Sequence, residues 1–365
     1  MAMEISIDFV EWLGPDISSS VLMLLDDPAD LVRISRVSRS WRRFVIGNGF
    51  CKKLCLRICS EASDFTRVME TTSLQTSETG SSSIAEWRKL EREHRVYSYL
   101  SYCIVSPTEK RNCILQSISA SSTDNFPDES IENTLEPSDQ VNMRPSYWSS
   151  EGQRDLGVPE TLTYRLLSKL CIIREIKIRP FEAYFQYGNP IYSAKYVRFR
   201  MGRSRLSSKA SIKSEGQAGG DNYEWFYISP EFPMSQKNIL QSFKLPRPVL
   251  CIGGILQIEL LGRVQVQEMD GLYYICVCHV KGLGHPLTPQ LDVEFMEAEH
   301  EMILKHLPEA CDHKSSWRGF RERIRHLRAQ RGWHHPFVNT LLGAVDAESD
   351  DDDDDDDDND DVRVL

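Results

Sequence analysis

The chain has 365 residues, 41% hydrophobic and 27% charged. That length allows two domains with connecting and terminal segments, and no apolar run approaches the ~18–20 residues that cross a bilayer, which excludes both a single small module and a helical membrane protein. The formal charge of −11 is local: thirteen acids and one arginine lie between Asp346 and Leu365, so residues 1–345 are close to neutral.

In chain order, the opening MAMEISIDFVEWLG carries acids where a secretory leader needs a basic region followed by an apolar one. The expected location is therefore reducing, cytoplasmic or nuclear or both, with the ten cysteines as thiols. Residues 9–60 read as helices. Gly14-Pro15-Asp16 interrupts the incoming segment, and Asp16 is placed to cap a helix whose Ile17, Val21, Leu22 and Leu25 share one stripe. Asp27 as cap and Pro28 at the first helical position start a second helix with Leu31 and Ile34. A third carries Val37, Trp41, Phe44 and Val45 and ends near Gly47. So small a helical unit buries little area alone, and an exposed apolar face on it would need a partner. The plainer alternative is that the stripe packs against the rest of the chain.

Residues 61–100 combine a polar linker, 70–83, with a connecting helix over 84–100 in which Trp87, Leu90, His94 and Tyr97 recur at helical spacing. From there to about residue 290 the pattern is all-β: LCIIREIKI, YSAKYVRFRM, EWFYI, VLCIGGILQIELLGRV and GLYYICVCHV, separated by Pro, Gly and Asn. Alternation at Ile172, Arg174, Ile176 and Ile178, and of Val197, Phe199 and Met201 with Tyr196, Arg198 and Arg200, predicts strands with one buried and one wet face. Gly253-Gly254 reads as a bulge, and residues 203–222 as a disordered loop. There is no βαβ rhythm and no internal repeat. Residues 295–335 read as a helical segment whose part 314–331, net +6, is a basic amphipathic helix with Trp317, Phe320, Ile324 and Leu327 on one face. Residues 346–365 read as a disordered acidic tail.

The segment Leu13-Gly14-Pro15-Asp16-Ile17, Val21-Leu22, Leu25, Asp30-Leu31, Ile34, Val37 and Ser40-Trp41-Arg42-Arg43-Phe44 resembles an F-box, with departures at Gly14 and Ser38. The resemblance implies a helical hook that docks on a Skp-type adaptor and, through it, a cullin scaffold for ubiquitin transfer. Leu13, Pro15, Ile17, Val21, Leu22, Leu25, Leu31 and Trp41 are the adaptor-binding residues it implies. An early Ala120-Ser121-Ser122, Tyr147-Trp148-Ser149-Ser150, the strand ending in Ile173-Arg174-Glu175-Ile176-Lys177-Ile178, a penultimate strand ending Leu261-Gly262 and a closing Tyr274-Ile275-Cys276-Val277 are similar to the galactose-binding-like, discoidin-type jelly roll. In that family the loops at one end bind sugars, lipids or proteins. Tyr184, Phe185 and Tyr187 are the target-binding candidates, with Trp148 as a stacking platform or, the favoured reading, core.

Other chemistry is set aside. Cys51, Cys55 and Cys59 recur every four residues without any C-x-x-C knuckle, and Cys276, Cys278 and His279 lie in an apolar strand; all read as buried small groups rather than ligands. Cys311, His313, His334 and His335 form no recognisable set. No nucleophile motif, phosphate loop or dinucleotide turn occurs, so no catalytic residue, metal or cofactor is expected.

The resulting expectation is an α+β multi-domain chain: a three-helix F-box-like unit, a central antiparallel jelly-roll β-sandwich, a C-terminal basic helix and a disordered acidic tail. It would be a non-catalytic substrate-recognition subunit of a Skp-cullin-F-box ubiquitin ligase, resembling a plant-type F-box protein. Its target is an unidentified protein that can carry glycans, with no membrane partner. The alternatives are a carbohydrate-binding sandwich without ligase role and, below it, a nucleic-acid regulator acting through the basic helix.

Overall fold

The computed structural model describes residues 8–71, 82–106, 109–205, 222–296 and 301–308, all within the unit Met1–Ala310. The basic segment, the acidic tail and most of the 203–222 loop lie outside them.

Helix α1 (Phe9–Leu22) breaks at Gly14, whose φ of 72° and ψ of 166° are non-helical. Pro15 follows with no N–H to donate and a fixed φ, so it can only restart a helix. Gly14 therefore holds the cap position assigned to Asp16, and Asp16 sits in the first turn. Asp27 caps α2 (Pro28–Ile34) by accepting from the Ala29 amide at 2.8 Å, and Ser38 caps α3 (Arg39–Gly47) by accepting from the Trp41 amide at 3.1 Å. Then α4 (Phe50–Ile58) buries Phe50, Cys51, Leu54 and Cys55 on one side, facing α5 (Ser82–Val105), which buries Val96, Tyr97, Leu100 and Ile104.

Among strands of four residues or more, β1 is Arg67–Glu70, β2 Ile114–Ala120, β3 Glu160–Leu166, β4 Leu170–Glu182, β5 Ala194–Ser204 and β6 Tyr223–Ile228. They continue with β7 Gln241–Ile252, β8 Ile255–Arg263, β9 Cys276–Pro286, β10 Leu291–Met296 and β11 Glu301–His306. Two antiparallel sheets, ordered β6-β5-β8-β3-β2 and β7-β4-β9, face each other as a sandwich. Its core holds Val197, Phe199 and Met201 from one sheet and Ile176, Ile178 and Val280 from the other, while outward Arg198 and Arg200 pair with Glu259. Gly253 and Gly254, at φ 96° and 70°, are a tight corner that carries the chain from β7 in one sheet to β8 in the other, not a bulge. A Cβ on Gly253 would lie 2.3 Å from Arg203 Cβ.

The alternation read at Ile172–Ile178 does not describe one face. Register shifts between Lys244 and Val249 and between Leu283 and Gly284 turn Ile176 and Ile178 into the sandwich, but leave Ile172 outward, buried in a second core. There the Arg174 guanidinium donates to the carbonyls of Ile104 (2.6 Å) and Ser106 (3.0 Å) at the end of α5. At Gly284 a Cβ would meet Ile172 O at 1.9 Å. Gly284→Ala should thus force the strands apart and cost at least ~1–3 kcal/mol, read as a lowered denaturation midpoint with an unchanged slope.

The helical segment expected at 295–335 is corrected at its start: β11 is a strand, parallel to β1 and antiparallel to β10. Pairing on both sides buries Met302, Ile303, Leu304 and His306 of this strand, a gain from distant partners that outweighs local helix preference. This small sheet, α4, α5, the inner sides of α1–α3 and the outer ends of β4 and β7 share the second core, including Leu22, Leu31, Val45, Ile172, Ile252 and Leu304. Arg247 fastens it from β7, donating to Glu61 Oε1 at 2.6 Å and Oε2 at 2.8 Å.

Glu70, at the end of β1, accepts from Arg95 of α5 and lies 3.3 Å from His306 Nδ1 of β11. Burial pushes its pKa up, but the Arg95 hydrogen bond and charge, with His306, outweigh that and hold it below 4.5. A depressed carboxyl stabilises the fold above its unfolded pKa and ceases to as pH falls through its folded one. Stability should therefore drop as pH falls below about 4.5, and Glu70→Gln should flatten that limb in denaturation curves taken across the range.

Candidate functional site

Two surfaces stand apart from the cores. The first is the outer face of α1–α3. Pro15, Ile17 (55% exposed) and Val21 (39%) point outward from the restarted half of α1, and Leu13 is half-buried beside them. Leu22 (4%) and Leu31 (1%) point the other way, into the second core, with Leu25 packed at its edge. The eight residues of the expected adaptor face are thus divided between two sides of one helical layer. Trp41 is half-buried, its indole Nε1 donating to Asp8 at 2.8 Å. The face extends to three residues outside the expected set: Trp12 (72%), Leu24 (78%) and Val37 (64%). Trp12, two residues before the break at Gly14, lies outside the stripe that Ile17, Val21, Leu22 and Leu25 share, and periodicity does not single it out. Arg57 of α4 holds the end of α1, donating to the carbonyls of Met23 and Leu25 and to Asp26 at 2.9 Å.

The second surface is a hollow of about 340 Å³ at one end of the sandwich, walled by Tyr147, Phe181, Phe185, Tyr192 and Tyr274 with Asp124, Asn125, Gln186 and Gln267 at its rim. Tyr147 stacks on Phe181, centroids 3.9 Å apart and planes 9° from parallel. Three acceptors fix three phenols: Glu129 takes Tyr147 Oη at 2.5 Å, Gln186 takes Tyr192 Oη at 2.6 Å and Asp270 takes Tyr274 Oη at 2.6 Å. Burial raises the pKa of Asp124, reinforced by Asp270 and Glu151, and lifts Tyr192 to about 12, so the phenols here are neutral donors. Gly188 and Asn189, both at positive φ, turn the chain back so that the Ala183 amide reaches Pro190 O at 2.9 Å. That turn presents Tyr184 (39%), Phe185 (52%) and Tyr187 (97%) to solvent. Phe185 lines the hollow, Tyr184 stands edge-on to it at 5.6 Å, and Tyr187 is outside the wall.

Trp148 takes the favoured core place and not that of a target-binding candidate. It is 0% exposed within the sandwich core, with its Nε1 donating to Ser122 O at 3.0 Å, and it presents no platform. The cysteine stripe is also interior, and burial raises Cys51 to about 11 and Cys55 to about 12, which keeps the thiols protonated. Cys276 and Cys278 share a buried face behind the hollow, while His279 points away and meets Thr134 O at 2.9 Å.

No helix among the described residues is long and apolar enough to cross a membrane. Residues 15–57 match the F-box-like family model. The Arabidopsis thaliana F-box protein At4g00755 is 50% identical over 309 residues, covering 82% of this chain and 81% of that protein. Among solved structures, the galactose complex of the family 32 carbohydrate-binding module of Clostridium perfringens NanJ aligns at 13% identity and a TM-score of 0.31, covering 48% of this chain and 99% of that one. A striped bass (Morone saxatilis) fucolectin aligns at 12% and 0.31, covering 49% and 50%. The sandwich itself rests on the strand pairing above. With a half-identical relative matched across most of both lengths and the F-box-like model falling on α1–α4, the chain belongs to the F-box protein family.

Proposed function

We propose that this chain is a target receptor of a Skp-cullin-F-box ubiquitin ligase, docking on a Skp-type adaptor through the outer face of α1–α3 and holding its target at the loop end of the sandwich. Family membership supports a substrate-adaptor role in ubiquitin ligation in general, with catalysis left to partner subunits. The observation that carries the finer reading is the outward cluster of Trp12, Ile17, Val21, Leu24 and Val37. Its helices already bury their other side, so these apolar side chains are surplus to folding, and exposed apolar area beyond what folding needs suits an interface. Leu13 and Pro15 complete that face; Leu22 and Leu31 support it from beneath. Co-purification of the full chain with a recombinant Skp-type adaptor tests the reading: a stable one-to-one complex supports it, and separate elution at micromolar concentrations sinks it.

The hollow favours a second, compatible reading of the target. Tyr147, Phe181, Tyr192 and Tyr274 are buried as a small core cluster, so the open ring is that of Phe185 (52%); with carboxylate and amide groups beside it, it suits a sugar, whose apolar face stacks while its hydroxyls are hydrogen-bonded. Phe185→Ala should weaken capture of a glycosylated target about tenfold or more, as loss of an aromatic anchor does, with the unfolding temperature unchanged. Equal capture by the variant in a binding titration would remove the hollow from recognition.

A further inference from the structure

A second cavity, about 620 Å³, opens between α2, α3, α5 and β11, well within the size range of small-molecule sites. Arg33 and Arg36 reach it from α2, Arg42 from α3 and Arg95 from α5, and among the described residues no carboxylate lines it. Arg33, Arg42 and Arg95 are paired behind the rim with Asp30, Glu91 and Glu70. The first two pairs are solvent-exposed and so weakly held. Arg36 has no ion-pair partner among the described residues.

His94 of α5 is part of the cavity wall. It lines the cavity yet is nine-tenths buried, and its Nδ1 has no hydrogen-bond partner among the described residues. Burial, then Arg42 and Arg95, press its pKa to about 4, so it is a neutral imidazole with an uncommitted ring nitrogen beside several guanidinium groups. A buried polar atom without a partner is costly and calls for an explanation. The remaining wall is apolar or aromatic: Pro28, Val32, Tyr99 and Tyr102.

From the arginines around this cavity we propose that it is a binding site for a small organic phosphate, its phosphate held by Arg36, Arg33 and Arg42 and its body lying against Tyr99, Tyr102 and Val32, with His94 in the wall as a reporter. Several planar forks arriving from different elements suit a dianion with three acceptor oxygens better than one carboxylate. It shares no lining residue with the sandwich hollow, and none of the adaptor-face residues named above lines it.

Residues 314–331 contain six further arginines that can attract anions, so the test must locate binding. The full chain is titrated with phenyl phosphate, inorganic phosphate and phenol while the His94 imidazole signals are followed by NMR, assigned by their loss in His94→Gln. Phenyl phosphate is expected to shift them saturably and to bind more tightly than inorganic phosphate, with phenol inert. Arg36→Glu should weaken phenyl phosphate about tenfold or more, the loss of a charge-assisted hydrogen bond, at an unchanged unfolding temperature. Signals unmoved by either phosphate, an unchanged affinity in Arg36→Glu, or retention on phosphatidylserine vesicles without response to the soluble phosphates would overturn the assignment.

Discussion

Ile17→Ala with Val21→Ala in the full chain should abolish adaptor capture at micromolar concentrations while leaving the melting temperature within ~2 °C, because surface truncations seldom move stability by more than ~0.5 kcal/mol. Both side chains are substantially exposed in the free chain, and alanine keeps the helix favourable. If they are central anchors of the docking face, each truncation costs ~2 kcal/mol or more of binding, together about a thousandfold. Leu22→Ala or Leu31→Ala should do the reverse of this separation. Those side chains are inside the second core, so each should cost ~2–5 kcal/mol of stability and reduce capture only by depleting folded protein. Calorimetric titration and thermal melts on the same preparations distinguish the two sides of the layer.

The largest expected stability loss from a single site is at Arg263, which with Glu160 forms an ion pair whose side chains are 0% and 3% exposed. Arg263 also donates to Ser150 Oγ at 2.8 Å and Tyr273 O at 2.9 Å, and Glu160 accepts from Ser122 Oγ at 2.8 Å. The network thus ties β8 and β3 to the segments that frame the sandwich hollow. Arg263→Met leaves a buried carboxylate without its cation, a loss of ~3–5 kcal/mol. Adding Glu160→Leu should recover much of it, since the pair replaced together no longer strands a charge. Urea midpoints of the single and double variants check this; equal midpoints for both would mean the ion pair is not what the single variant disrupts.

The legible parts of this protein were those written in local pattern. Asp27-Pro28 starts a helix where capping chemistry puts it, and Val197, Phe199 and Met201 fall inward by alternation; the Ser38 cap, which places Val37 before the third helix rather than in it, is not part of that reading. What was hidden depended on distant partners. The strand pairing of β1 with β11 joins residues more than two hundred positions apart, so β11 looked like the beginning of the basic helix. The shifts that turn Ile176 away from the face of Ile172 arise from strands paired across β4. Likewise Leu22 and Val21 look equivalent as neighbours on an apolar stripe, and only the second core, built largely by α4, α5 and three strands, makes one a support and leaves the other for a partner. Because α2 and α3 pack on α5 in that core, residues 1–60 alone would leave part of it, including Leu31 and Val45, uncovered.

The central claim, that the outer side of α1–α3 is completed by a second protein, is tested most directly by amide hydrogen exchange on the full chain with and without a Skp-type adaptor. The account predicts that added protection concentrates in residues 12–24 and around Val37, with the sandwich unchanged. Protection confined to other surfaces, or none at saturating adaptor, would contradict it.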